Sequence, residues 1–286
     1  MTTHGFPDRD PAAIAGTRDA LHAYALVVGD YPAALRARRK HWWHISLRPS
    51  FDGMSTGVIR SKPRGADATD FEMVLDPAHS LVQARCANGQ VLSESMRGQP
   101  AVELAQRINA FLADNGLDPS LLPTHAPEDE KSTARYSPDV AAQLGMAWRA
   151  ISTAKEAFKA SIPEETSPVM LWPHHFDLAM MWLPGEKIPG QDPADEEQSD
   201  KQMNFGFTFG DGGIPEPYFY ITAYPLPEAF PSLALPTGTN WHTAGFSGAV
   251  LRYSQLLQSA DPSAYLLDLW NVLLSAGRQH LITKNT

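Results

Sequence analysis

Cysteine is almost absent: Cys86 is the single cysteine among 286 residues. That excludes an internal disulfide and every zinc site built from several thiolates. Positive charge is also scarce. There are 23 Lys and Arg against 32 Asp and Glu, a net charge of −9, and such a balance repels phosphate backbones and anionic lipid surfaces. Nucleic acid is not an expected partner. Long apolar runs are missing too, since stretches such as Leu178–Leu183 fall far short of the roughly 20 residues that span a bilayer. The opening MTTHGFPDRDP has neither the basic nor the apolar region of a secretory signal. The expectation is a soluble cytoplasmic protein with no membrane partner. No cofactor fingerprint is found. The one glycine-rich run, Gly206–Gly213, leads into Pro215-Glu216-Pro217 and a strand, whereas a phosphate cradle needs a helix N-terminus there.

What is present suits a folded domain. Hydrophobic residues make up 43% of the chain, and a chain of this length buries roughly three quarters of its extended surface. Helical spacing predicts helices over Asp10–Val28, with Gly29 as the stop, and over Pro32–Arg39. Strands are expected at His41–Arg48, Gly53–Arg60, Asp70–Leu75, Ser80–Ala84 and Gln90–Met96, with turn chemistry between them. A helix over Pro100–Asn115 follows, capped by Gly116. Leu117–Ser132, rich in proline and acids, reads as a linker.

The rhythm then repeats. A helix from Ser137 to about Ala160 leads to strands at Val169–Leu183, Met203–Phe209 and Pro217–Tyr224, with Pro184–Lys201 as an exposed loop. Helices over Phe246–Gln258 and Pro262–Ala276 close the chain. Hairpin-linked strands with helices at the ends of each half indicate an α+β fold with antiparallel strands. The expected organisation is a first half at 1–116, a linker at 117–132 and a second half at 133–286, two pseudo-equivalent halves around one core.

Five stretches stand out together: Thr17–His22, His41-Trp42-Trp43-His44, Ser167-Pro168-Val169, Trp172–Ala179 and Pro215–Tyr220. In this combination the chain resembles, over nearly its whole length, a family of uncharacterised bacterial proteins classed as a domain of unknown function. The chain departs from some relatives at Pro173-His174-His175, which argues against a shared metal site at His174 or His175. The resemblance carries no activity with it.

The chemistry-bearing candidates lie in the same stretches. His41, His44, His174, His175 and Asp177 are ligand types for a divalent ion if their segments converge. On a strand, however, His41 and His44 face opposite ways, and His175 shares a face with Asp177 rather than with His174. The pseudo-repeat aligns His44 with Asp177. A carboxylate beside an imidazole fixes its tautomer and raises its basicity, as a general base requires. The same pair could equally serve as a buried hydrogen bond. His44, Asp177 and His175 are therefore the candidate catalytic residues, and His44 is expected to titrate above its ordinary value.

His41, Trp42, Trp43, Trp172, Glu216 and Tyr218 are the candidate ligand-binding residues around a small polar ligand. Core packing is the competing reading of the aromatics, as an exposed turn is of Glu216. Gly245–Ala249 approximates a nucleophile elbow, but the polar Thr239–Thr243 precedes it, so Ser247 is read as a helix N-cap. Two classes remain: an acid–base or metal-assisted enzyme or small-molecule binder with a His/Asp/aromatic pocket, or a non-catalytic structural or interaction module.

Overall fold

The computed structural model describes residues 10–60, 70–125 and 133–283. In chain order the elements are α1 (Pro11–Leu35), β1 (Arg48–Pro49), β2 (Met54–Ser55), β3 (Phe71–Asp76), β4 (Leu81–Cys86), β5 (Val91–Ser95), α2 (Ala101–Asp114) and α3 (Pro138–Lys159). Then come β6 (Glu165–Thr166), β7 (Met170–Trp172), β8 (Asp177–Leu183), α4 (Glu196–Ser199), β9 (Gln202–Thr208) and β10 (Tyr218–Tyr224). Last are β11 (Thr239–His242), β12 (Gly248–Arg252), α5 (Tyr253–Leu256) and α6 (Pro262–Leu281). Helices and antiparallel sheets make this an α+β protein. Two compact units divide inside α3. The N-terminal unit takes Ala12–Arg149 and Met170–Phe176, and the C-terminal unit takes Ala150–Val169 and the chain from Asp177 onward.

In the N-terminal unit the sheet is a meander, β1-β2-β3-β4-β5. Its central register, Met73↔Ala84 and Leu75↔Val82, turns apolar side chains inward from both strands. Helix α1 does not stop at Gly29 but runs on to Leu35 through Pro32, and Arg36 N–H still reaches the Pro32 carbonyl at 3.1 Å. The reason for Gly29 is packing. A Cβ there would come within 2.5 Å of the Pro173 ring, so the glycine admits that ring rather than ending the helix.

The expected strand at His41–Arg48 is absent as well. Lys40–Ile45 is a short helical turn with His41 at φ 48° and Trp42 at φ 59°. Only afterwards does the chain extend, with Leu47 exchanging both backbone hydrogen bonds with Leu171 at 2.9 Å. Of the expected linker, residues 126–132 lie outside the described residues. The preceding part is tied down: Asp118 accepts from the Ser120 amide at 3.0 Å, and His125 Nδ1 lies 3.1 Å from an Asp30 oxygen.

In the C-terminal unit the sheet runs β11-β12-β10-β9-β8-β6, with antiparallel pairing. Every residue of β8 is buried, so this strand is covered on both faces. One face packs on α6, where Gly277 lies against Met203 and Trp182, and on the aromatic group Phe158, Phe205, Phe219 and Trp270. Two expectations fail here. The expected strand Val169–Leu183 breaks into β7 and β8 at a turn over Pro173–Phe176, where the Phe176 amide bonds the Trp172 carbonyl at 2.7 Å. The expected helix Phe246–Gln258 is β12 followed by α5, so Ser247 enters a strand and caps no helix. Gly-Ala-Val-Leu fits a slot between β10 and β11, and strand pairing overrides weak helical spacing.

An exposed helix position gains roughly 0.5–1 kcal/mol when glycine becomes alanine. At Gly29 the Pro173 contact reverses the sign. Gly29→Ala is expected to destabilise the protein by about 1–3 kcal/mol, the cost of overpacking. Urea unfolding of the two proteins checks this, and a stabilised variant would refute the packing assignment.

Candidate functional site

The antiparallel registers determine which side chains share a face. Asp177 on β8 opposes Thr208 on β9, which opposes Tyr218 on β10. Two residues along β9, Gly206 opposes Tyr220. Because strand side chains alternate, Asp177, Thr208, Gly206, Tyr218 and Tyr220 all stand on one face, away from Phe205 and Phe207. A Cβ at Gly206 would fall inside the Tyr220 ring. The ring therefore lies across β9 over the glycine, and its hydroxyl donates to Asp177 Oδ2. One missing side chain lets β10 reach β8 over the intervening strand.

Burial and the Asp177 charge hold the Tyr220 phenol well above its ordinary value. It stays neutral and acts as a donor to the carboxylate. Tyr218, one pleat along, donates to Asp211 at 2.5 Å, and burial followed by that bond raises it too. Asp211 is already committed, since its other oxygen accepts the Gly213 and Ile214 amides at 2.7 and 2.9 Å. The Tyr218–Asp211 pair thus closes the β9–β10 turn. Phe246 stacks on Tyr218 at 6.5 Å and meets Tyr220 edge-on at 6.0 Å, with His242 at 4.6 Å from Phe246. Tyr220, His242 and Phe246 remain half-buried, which leaves this face reachable.

Glu216 belongs to a different arrangement. Ser254 Oγ donates to it at 2.6 Å and Arg252 forms an ion pair with it. Burial alone would raise the Glu216 carboxyl, but these bonds outweigh it and hold the group below its usual range. Its role is to fasten β10 to β12 and α5.

Sequence reading missed Lys155. It occupies the buried stripe of α3 between Ile151 and Phe158 and is 0% exposed. Its amine donates to the Phe205 carbonyl at 2.5 Å and sits 4.9 Å over the Trp270 ring. Burial pushes its pKa down to about 7, with the Asp177 charge pulling the other way. The signal was legible: a lysine four residues after Ile151 and three before Phe158 stands where an apolar residue belongs.

The remaining candidates lie in the N-terminal unit. Two consecutive left-handed residues, His41 and Trp42, turn the HWWH segment so that Trp42 is 43% exposed while His41 and His44 are buried. The Trp42 ring stacks on His44 at 5.7 Å and carries the Arg38 guanidinium at 4.9 Å; Lys40 lies 5.3 Å over Trp43. The Arg39 amide donates to His44 Nδ1 at 3.2 Å, so the neutral imidazole carries its proton on Nε2. The raised His44 pKa expected from the sequence is reversed: burial first, then Arg38 and Arg36, push it below its ordinary value.

His44 sits in a helical turn and Asp177 at the start of a strand, so they do not occupy equivalent local structures. His174 and His175 are exposed on the Pro173–Phe176 turn, which removes the shared strand face expected for His175 and Asp177. Trp172 is half-buried at the end of β7. Among the described residues no three of histidine, cysteine, aspartate and glutamate gather as a metal site.

A family model described as a family of unknown function, DUF5996, matches residues 6–280. The chain belongs to that family. No curated protein and no solved structure matches it.

Lys155 has a folded pKa of about 7 against roughly 10.5 in the unfolded chain. Below pH 7 both states bind the proton and the folded state carries the full cost of a buried ammonium. As pH rises from about 7 towards 10.5 the unfolded chain holds more protons, so stability rises. Relative to Lys155→Met, the wild type should gain roughly 1 kcal/mol per pH unit in that window. Denaturant unfolding of both proteins between pH 6.5 and 10 measures the difference, and parallel curves would show that the amine does not change charge there.

Proposed function

We propose that the protein binds a small polar molecule on the tyrosine face of the C-terminal sheet and moves a proton there. The observation that carries this reading is the Tyr220 hydroxyl laid over Gly206 onto the buried Asp177 carboxylate. Burying a carboxylate is costly unless its charge is hydrogen-bonded. A phenol held neutral beside it supplies such a bond and pins one oxygen. The other carboxylate oxygen is the proton acceptor in this reading, and the phenol, whose single O–H is given to Oδ2, holds that carboxylate in place.

The half-buried rings of Tyr220 and Phe246, with the His242 imidazole beside them, form the wall a small ligand needs. The reading uses no metal. Among the described residues no helix is long and apolar enough to cross a membrane. A cytoplasmic setting belongs to the same proposal and is supported by the single, buried cysteine.

The competing reading, a non-catalytic interaction module, has one observation in its favour. Phe51 is 94% exposed on a turn whose carbonyl is held by Arg149 at 2.8 Å. The two readings separate in one experiment. A panel of small carboxylic acids, amines, polyols and sugars is screened by thermal shift against wild type, Tyr220→Phe and Phe51→Ser. Stabilisation of wild type and Phe51→Ser that is reduced at least tenfold in apparent affinity in Tyr220→Phe is the expected result. No hit on wild type, or equal hits on all three proteins, would reject the tyrosine face as the site.

A further inference from the structure

The tyrosine face continues along the sheet past Tyr220. Asn204 on β9 opposes Thr222 on β10, and His242 on β11 opposes Gly248 on β12. Both pairs lie one pleat beyond the pairs Gly206↔Tyr220 and Val250↔Asn240. A Cβ at Gly248 would come within 2.9 Å of the Thr222 methyl, so the glycine lies beside Thr222. Asn204, Thr222, Gly248 and His242 therefore form one row on the face that carries Tyr220. Asn204, Thr222 and His242 are half-buried. The Asn204 amide and the Thr222 hydroxyl hydrogen-bond to none of the described residues. His242 Nε2 donates to the Ala244 carbonyl at 2.7 Å, so Nδ1 is the acceptor of the neutral ring.

The charges on and beside this face are engaged within the protein. Asp177 accepts from Tyr220, and Arg252 pairs with Glu216. Asp211, in the turn next to them, is held by Tyr218 and by two backbone amides. The row itself holds no lysine, arginine or carboxylate. What it offers a ligand is an amide, a hydroxyl and an imidazole nitrogen. Next to these stand the half-buried rings of Tyr220 and Phe246, 6.0 Å apart, with the His242 ring 4.6 Å from Phe246.

We propose that the ligand of the tyrosine face is a neutral polyhydroxylated ring, a monosaccharide or a cyclic polyol, set against Tyr220 and Phe246 and hydrogen-bonded by Asn204, Thr222 and His242, an assignment that rests on the small-molecule role proposed for that face. The C–H bonds on one side of such a ring are weakly positive and lie against the negative face of an aromatic ring. Its hydroxyls both donate and accept, which matches an amide, a hydroxyl and an imidazole acceptor. Thr222 and His242 stand two strand spacings apart, about 9–10 Å, and Gly248 leaves the floor between them without a side chain. That span suits one ring with its hydroxyls. An anion would lie near the Asp177 and Asp211 carboxylates with no lysine or arginine in the row to receive it. A lone ammonium would leave the amide and the hydroxyl unused.

The test is an NMR titration of the full chain that follows the His242 imidazole and the Phe246 ring. The ligands are D-glucose and myo-inositol, with glycerol, glucuronate and cyclohexylamine as the hydroxyl-only, anionic and cationic-ring probes. Glucose or inositol should shift both residues saturably and bind about tenfold more tightly than the other three. Whichever of the two binds assigns the site to sugars or to cyclic polyols. Asn204→Ala and Thr222→Val, both changes of half-buried side chains, should each weaken that binding about three- to tenfold, and Phe246→Ala should weaken it further. If neither glucose nor inositol binds while cyclohexylamine or glucuronate does, and that binding is lost in Tyr220→Phe, the polyol assignment fails and the face remains a small-molecule site. If none of the five compounds and none of the wider panel binds, both fail. An equal response to glycerol, or binding unchanged in all three row and ring variants, would also overturn the proposal.

Discussion

Gly206 stands in the middle of β9 between Phe205 and Phe207, and the Tyr220 ring fills the volume its side chain would take. That single vacancy sets the geometry of the whole face. With any larger residue at 206 the phenol could not cross the strand, Asp177 would lose the donor that reaches it from β10, and its burial would have to be compensated in another way. The neighbouring pairs act elsewhere, Tyr218 with Asp211 within the β9–β10 turn and Glu216 with Arg252 and Ser254 between β10 and the adjacent β12 and α5. The Tyr220–Asp177 bond instead joins strands separated by another strand. It is the long-range polar contact around which the half-buried aromatic wall is arranged.

How far this was legible in the sequence differs from residue to residue. Periodicity located α2, α6 and the β3–β4 hairpin to within a few positions, because each buries one clean apolar face. It failed where a neighbour decided the outcome. Gly29 resembles a helix stop, but the residue is small because Pro173 packs on it. Gly248–Leu251 fits a helix about as well as a strand, and the open slot beside β10 made it a strand. The HWWH segment alternates in a way that suggests a strand, and no local rule foretells two left-handed residues in a row.

The candidate site shows the same division. Asp177 and Tyr218 were singled out by type and spacing, and both lie on the tyrosine face. Tyr220 carries the interaction that matters, although it looked like one more aromatic in a run. Gly206 was placed in the strand Met203–Phe209 and weighed only as the start of a glycine-rich run. Both become meaningful once the register is known, since a glycine inside a strand is informative chiefly through the residue opposite it. His44 was expected to titrate above its ordinary value, and the opposite holds. Burial first, then Arg38 and Arg36, disfavours the proton that a base would gather.

Lys155 completes the argument for chemistry over architecture in the C-terminal unit. The stripe of α3 that holds it already contains Ile151, Ala154 and Phe158, so a leucine or methionine would pack there at no electrostatic cost. A buried ion pair or buried amine is a poor way to gain stability, because desolvation takes back most of what the contacts return. The amine is nevertheless present, and it bonds Phe205 at a particular place. Strand β8 pairs with β9 at Asp177↔Thr208 and again from Met180↔Phe205 onward, so the lysine meets the ladder next to Gly206 and the Tyr220 crossing. A donor there steadies the backbone beneath the phenol, and its pKa of about 7 lets its charge change near neutral pH. Stability alone accounts for neither the cost nor the position; the site proposed at Asp177 would give a reason for both.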